Sequence, residues 1–231
     1  MERTLEKQML HLMTCRIVIA AVTVVPVVYS QTAAQTTDAG KPQITESGVI
    51  SGNVYTNGIL GLSYEFPKAW GVDQAAMDYE NAPANGPEPK DPKMKEIFDR
   101  RNESHVLLEV AKQPSDTARH ADPPIIRLMA DQITAKSPTL EELTAFIKQQ
   151  QHGMSRVVGE AQECSFGGQT FRRVDVARTS LSSTKEWQTV FVSYLVSVRN
   201  GFLLTFDIAA TSPEQLNDLV GTLNSLRFAT Q

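Results

Sequence analysis

His105, Glu109 and Asp207 are the residues whose types and spacing come nearest to a reactive set. Side chains alternate faces along a strand, so His105 and Glu109, four residues apart in an extended apolar stretch, are expected on one face. An imidazole and a carboxylate so placed form a metal-ligand pair, with Asp207 as a third donor from another strand. The same groups would serve a secreted hydrolase or a metal-dependent enzyme. Zinc sites normally bring their ligands in tight pairs at short spacing, which weighs against a site built from residues this scattered. The chain also lacks a Gly-x-Ser-x-Gly elbow, a His-Glu-x-x-His helix, a Cys-x-x-Cys pair and a phosphate-cradling glycine loop. The expectation is therefore no catalytic residue, no cofactor and no metal, with His105, Glu109 and Asp207 as the weak candidates.

Asp175 and Asp207 draw notice for another reason. Each interrupts a strand otherwise filled with apolar residues, and a buried carboxylate is costly unless paired. Arg172 or Arg173 is the expected partner. Of the other histidines, His120 falls in a polar loop, and His152 precedes Gly153, where a cation complements a helix C-terminus. Cys164 ends an apolar strand pattern and reads as a buried, inert thiol. Asn102-Glu103-Ser104 fits a glycosylation acceptor, relevant only in a eukaryotic secretory pathway.

The elements that must position these groups are clearest between Trp187 and Phe228. From Gln188 to Arg199 the apolar residues fall mainly on even positions (Val190, Val192, Tyr194, Val196, Val198), and Phe202, Leu204, Phe206 and Ile208 continue the pattern. For these rows to share one face, Val196 must pair with Leu204 and Tyr194 with Phe206. That requires a three-residue turn, Arg199-Asn200-Gly201, closed by a left-handed glycine. Ser212, Pro213 and Gln215 then open a helix, and Leu216, Leu219, Val220, Leu223 and Leu226 draw one apolar stripe.

Upstream, Asn53 to Tyr55 and Leu62 to Phe66 read as strands around an Asn57-Gly58 turn, with Trp70 folding back over the core edge. Residues 75–81 read as a short helix, 82–91 as a Pro-rich loop and 93–101 as another short helix. His105 to Lys112 and Ile125 to Ala130 are strand-like. Thr139 and Glu142 form a capping box for a helix carrying Leu140, Leu143, Phe146 and Ile147. Val157 to Phe166 and Gln169 to Ala177 make a second hairpin around Gly167-Gly168. This order points to an α+β protein, a twisted antiparallel sheet covered by helices.

A net charge of −4 without a basic excess argues against nucleic acid as a partner. Arg3, Lys7 and Arg16 precede an almost wholly apolar run from Ile17 to Tyr29, the pattern of a secretory signal peptide. Residues 1–30 are read as that signal, 31–48 as a polar tether and 49–231 as one domain. The alternative is an uncleaved anchor, since Leu10, Leu12 and Met13 lengthen the apolar run. Cleavage would remove Cys15 and leave Cys164 without a disulfide partner.

The chain resembles the PsbP-like family. The resemblance rests on Val54-Tyr55-Thr56-Asn57, on Leu62 to Pro67 with Trp70, on Phe166 to Phe171, and on Gly201 to Phe206 with the Ser212-Pro213-Glu214 helix start. It spans about residues 52 to 228. It implies an α-β-α sandwich around an antiparallel sheet and a non-enzymatic role in binding or assembly. The expected function is an exported, non-catalytic domain that binds a protein or small ligand in the cell envelope. The alternatives are the hydrolase or metal enzyme above and a membrane-tethered structural protein.

Overall fold

The computed structural model describes residues 48–82, 104–114, 122–133, 139, 141, 142, 144, 145, 155–182 and 184–229. Expectations for the signal and tether up to residue 47, for the loop and helix within 83–101, for the glycosylation motif at Asn102, and for His120, His152 and the 140–147 apolar stripe fall outside these residues. The Thr139–Glu142 capping box is present: Thr139 N–H donates to Glu142 Oε2 at 2.8 Å, and Glu142 N–H to Thr139 Oγ1 at 3.2 Å.

Two antiparallel sheets form the core. The smaller has the order β1-β2-β3-β11, from strands β1 (Val49–Ser51), β2 (Val54–Asn57), β3 (Leu62–Glu65) and β11 (Arg227–Phe228). The larger has the order β4-β5-β6-β10-β9-β8-β7. Its strands are β4 (Gly71–Val72), β5 (Ser104–Ala111), β6 (Ile125–Gln132), β7 (Ser155–Phe166), β8 (Gln169–Leu181), β9 (Trp187–Arg199) and β10 (Phe202–Ala210). An N-proximal helix, Gln74–Asn81, is capped by Asp73, whose carboxylate accepts from Ala76 N–H. The closing helix, Pro213–Gly221, starts as its sequence indicates: Ser212 accepts from Gln215 N–H and Pro213 sits in the first turn. It tightens to a 3₁₀ turn at Thr222–Ser225, and Arg227–Phe228 then becomes a strand instead of continuing the helix.

The central strands of the main sheet, β6 and β10 above all, are buried on both faces, whereas the edge strand β7 has no buried residue. One face meets the small sheet and the closing helix through Leu128, Phe171, Leu195, Phe206, Tyr64 and Leu219. One edge-to-face pair bridges the two sheets, Tyr64–Phe206 with centroids at 5.8 Å, and Phe171 meets Phe206 edge-to-face within the main sheet at 6.0 Å. The opposite face carries Val174, Val192, Tyr194, Val196 and Leu203, and Met77 of the N-proximal helix packs there on Val106 and Met129.

This two-sided burial overturns the expected β9–β10 register. Arg199 pairs with Phe202, Val196 with Thr205 and Tyr194 with Asp207, so the loop has two residues, not three. Tyr194 and Phe206 therefore lie on opposite faces. The apolar rows need not coincide, because every residue of β10 is buried and each face has its own core. Turn chemistry decides instead. Asn200 and Gly201 both have positive φ, 50° and 81°, which matches the right-handed strand twist in a two-residue hairpin.

The same turn fastens the two sheets together. Arg199 donates from Nε to Leu60 O at 2.9 Å and from Nη2 to Ala229 O at 2.7 Å, with its guanidinium 4.6 Å from the Phe228 ring centroid. Asn200 Nδ2 donates to Ile59 O. The β7–β8 hairpin forms around Gly167-Gly168 as expected, and β8 runs on to Leu181.

Candidate functional site

The buried charges on the main sheet form one row across three strands. Cross-strand pairing aligns Glu109 of β5 with Arg127 of β6, and Arg127 with Asp207 of β10. Tyr194 of β9 and Val174 of β8 continue the line. Arg127 Nε donates to Glu109 Oε2 at 2.7 Å, and its Nη1 lies 3.9 Å from Asp207 Oδ2. All three side chains are almost fully enclosed, Glu109 completely.

Burial alone would lower the Arg127 pKa. The opposing charges of Glu109 and Asp207, with a further contribution from Glu80 on the N-proximal helix, outweigh it and hold the guanidinium firmly protonated. The chemistry of the row follows from that. Arg127 occupies the space between the two carboxylates and accepts no proton. Glu109 and Asp207 both face it. Asp207 Oδ1 and the nearby Thr205 Oγ1 are buried without a hydrogen bond, an exception among buried polar atoms.

His105 does not join this row. A β-bulge between Val106 and Leu108 adds one residue to β5, so Leu107 and Leu108 both enter the inter-sheet core. The shift sets His105 opposite Ala130, on the face away from Glu109. Of the three candidates, Glu109 and Asp207 are therefore brought together and His105 is separated from them. Among the described residues, no group of three His, Cys, Asp or Glu side chains is placed to hold a metal ion.

Arg127 is the member of the row that sequence reasoning missed. The signal was present, a lone arginine inside Ile125-Ile126-Arg127-Leu128-Met129, as conspicuous as the aspartate in β10. The pairing expected from Arg172 or Arg173 holds in part. Arg173 Nε donates to Asp175 Oδ1 at 2.8 Å, and Ser193 Oγ donates to the same oxygen. Arg172 instead reaches Glu163 at 3.4 Å on the exposed edge, and Asp207 takes Arg127. Cys164 is half-buried. Burial pushes its thiol pKa up, Arg173 opposing in part, which disfavours the thiolate.

No family model matches the chain, and no curated protein matches it. Among solved structures it is similar to the cyanobacterial PsbP (CyanoP) from Synechocystis sp. PCC 6803, at 12% identity over 79% of this chain and 96% of that one, with a TM-score of 0.43. It is also similar to LpqN, involved in cell envelope biogenesis of Mycobacterium tuberculosis, at 15% identity over 73% and 83% of the two chains, with a TM-score of 0.41. The first bears the family name that the sequence resembles. Overlaps of this extent leave the roles of individual residues to the geometry above. Among the described residues, no helix is long and apolar enough to cross a membrane.

Proposed function

We propose that the chain is an exported, non-catalytic binding domain of the PsbP-like kind, engaging a protein or small ligand in the cell envelope. One observation carries the reading: the only buried charges on the main sheet, among the described residues, are turned on each other. A reacting site needs an acid, base or nucleophile within reach of a substrate, and Glu109, Arg127 and Asp207 are enclosed. The basic start and apolar run of residues 1–30 support export. An α-β-α sandwich belongs to the same reading, because Met77 of one helix and Leu219 of the other pack on opposite faces of the main sheet.

Cell fractionation with N-terminal sequencing of the full chain tests the proposal. The expected product lies outside the cytoplasm and begins after residue 30. A product that stays in the cytoplasm with Met1 in place contradicts export. Membrane-bound protein that keeps residues 1–30 identifies the segment as an anchor and contradicts cleavage.

A further inference from the structure

We propose that Thr205 and Asp207 bind one internal water molecule, which donates to Asp207 Oδ1, accepts from the Thr205 hydroxyl and completes the ion row. Register places both side chains on one face of β10. Asp207 stands opposite Arg127 and Tyr194, and Thr205 opposite Met129 and Val196. Thr205 is 2% exposed and Asp207 6%. Asp207 Oδ1 and Thr205 Oγ1 are both enclosed, and neither has a hydrogen-bond partner. Buried polar atoms are nearly always satisfied by protein or by ordered water. Two exceptions at successive positions of one face point to a shared partner.

The flanking side chains do not supply it. Along and across the strands, Thr205 is bordered on its face by Leu203, Val196, Met129 and Asp207. The first two are hydrocarbon, and a methionine thioether is only a weak acceptor. Asp207 is the strong acceptor of the four, but same-face neighbours on a strand stand about 6.8 Å apart. One hydrogen bond does not cover that separation. Two bonds of about 2.8 Å through a water reach up to about 5.6 Å, and the side chains themselves make up the rest. Arg127 Nη1 approaches the other carboxylate oxygen, Oδ2, at 3.9 Å. That is an ion-pair distance, longer than a hydrogen bond, and polar contacts of this length are where bridging waters occur.

The chemistry of the pair selects water over other occupants. A hard cation such as calcium or magnesium takes about six oxygen ligands or more. Here two oxygens converge, and the Arg127 guanidinium beside Asp207 repels a cation. Neither atom meets solvent, which excludes a ligand bound from the surface. Water both donates and accepts, so it serves a carboxylate and a hydroxyl together, within the range of about two to four partners usual for an internal water. Thr205 is then a positioning residue for the row. It holds the water that occupies Oδ1 and leaves Oδ2 turned to Arg127. This site is independent of export and of any binding partner.

Oxygen-17 relaxation dispersion of the solvent counts waters held long enough to tumble with the protein, and hydroxyl protons do not contribute to it. The full chain carrying Thr205→Val should show one such water fewer than wild type and a lower urea midpoint. Thr205→Ser, which keeps the hydroxyl, should retain the water. The sign of the stability change is itself decisive. With no water bound, Thr205→Val deletes an unsatisfied buried hydroxyl and should raise the midpoint. A Thr205→Val chain that holds as many long-lived waters as wild type overturns the site, and so does one more stable than wild type. Should Thr205→Val fail to fold, a crystal structure of the wild-type chain that resolves ordered water decides. A water oxygen within hydrogen-bond distance of both Oδ1 and Oγ1 is expected, and density without one overturns the site.

Discussion

Two tyrosines show how much of this fold is decided by single hydroxyls. Tyr55 and Tyr64 face each other across β2 and β3, fully buried between the sheets. Burial pushes the Tyr55 pKa up from 10.0 to about 12, opposed by the hydrogen bond from Asn57. Tyr64 moves in the same direction, its hydroxyl 2.8 Å from Thr222 Oγ1. In each case the folded state keeps a proton that the unfolded chain releases above its ordinary value. Stability is then fully present below about pH 10 and falls as pH rises towards and through the folded values, by about 1.4 kcal/mol per unit for each tyrosine. Urea unfolding one unit below and one unit above the ordinary tyrosine value measures this. Tyr55→Phe combined with Tyr64→Phe should flatten the decline, and a double variant as steep as wild type refutes the assignment.

The residue scale also shows where sequence reading stops. Asp175 and Asp207 were legible as carboxylates out of place, because a charge in an apolar strand needs a partner, whereas Glu109 was legible only as a ligand beside His105. The His105–Glu109 pairing does not form, because parity along β5 is broken by a bulge within Val106-Leu107-Leu108. Three apolar residues carry no mark of which one is extra.

At the scale of elements, the sequence identified which residues are buried better than which face they take. The apolar rows of β9 and β10 proved to be core except for Val198, which is 45% exposed, and the closing helix buries Leu216, Leu219 and Val220 as its spacing requires. The register failed because a parity test assumes that one face of a hairpin is wet. Two glycine turns now make a paired prediction. Gly201 has φ 81° with open space where a Cβ would go, so Gly201→Ala should cost only the backbone strain, about 1–2 kcal/mol. Gly167 has φ 57°, and a Cβ there would sit 2.6 Å from Leu226 O, so Gly167→Ala adds a clash with the chain leading into β11. Urea midpoints should rank wild type, Gly201→Ala, then Gly167→Ala. Equal losses for the two variants would mean that the β7–β8 turn does not pack on the chain end.

Among the described residues the central strands of the main sheet have an interior on each face, and the placement of their polar groups follows from that. A strand wet on one side can display reactive groups, whereas here the polar side chains of the central strands lie inside. The ion row is therefore a tie across β5, β6 and β10. Removing one member of a buried ion set costs more than replacing the whole set, because the survivors keep their desolvation penalty without compensation.

Equilibrium urea unfolding of two variants tests this most directly. Arg127→Met alone should lose about 3–5 kcal/mol, while Arg127→Met combined with Glu109→Gln and Asp207→Asn should recover most of it. A single variant as stable as wild type, or a combined variant no better than the single one, would contradict the structural role of the row.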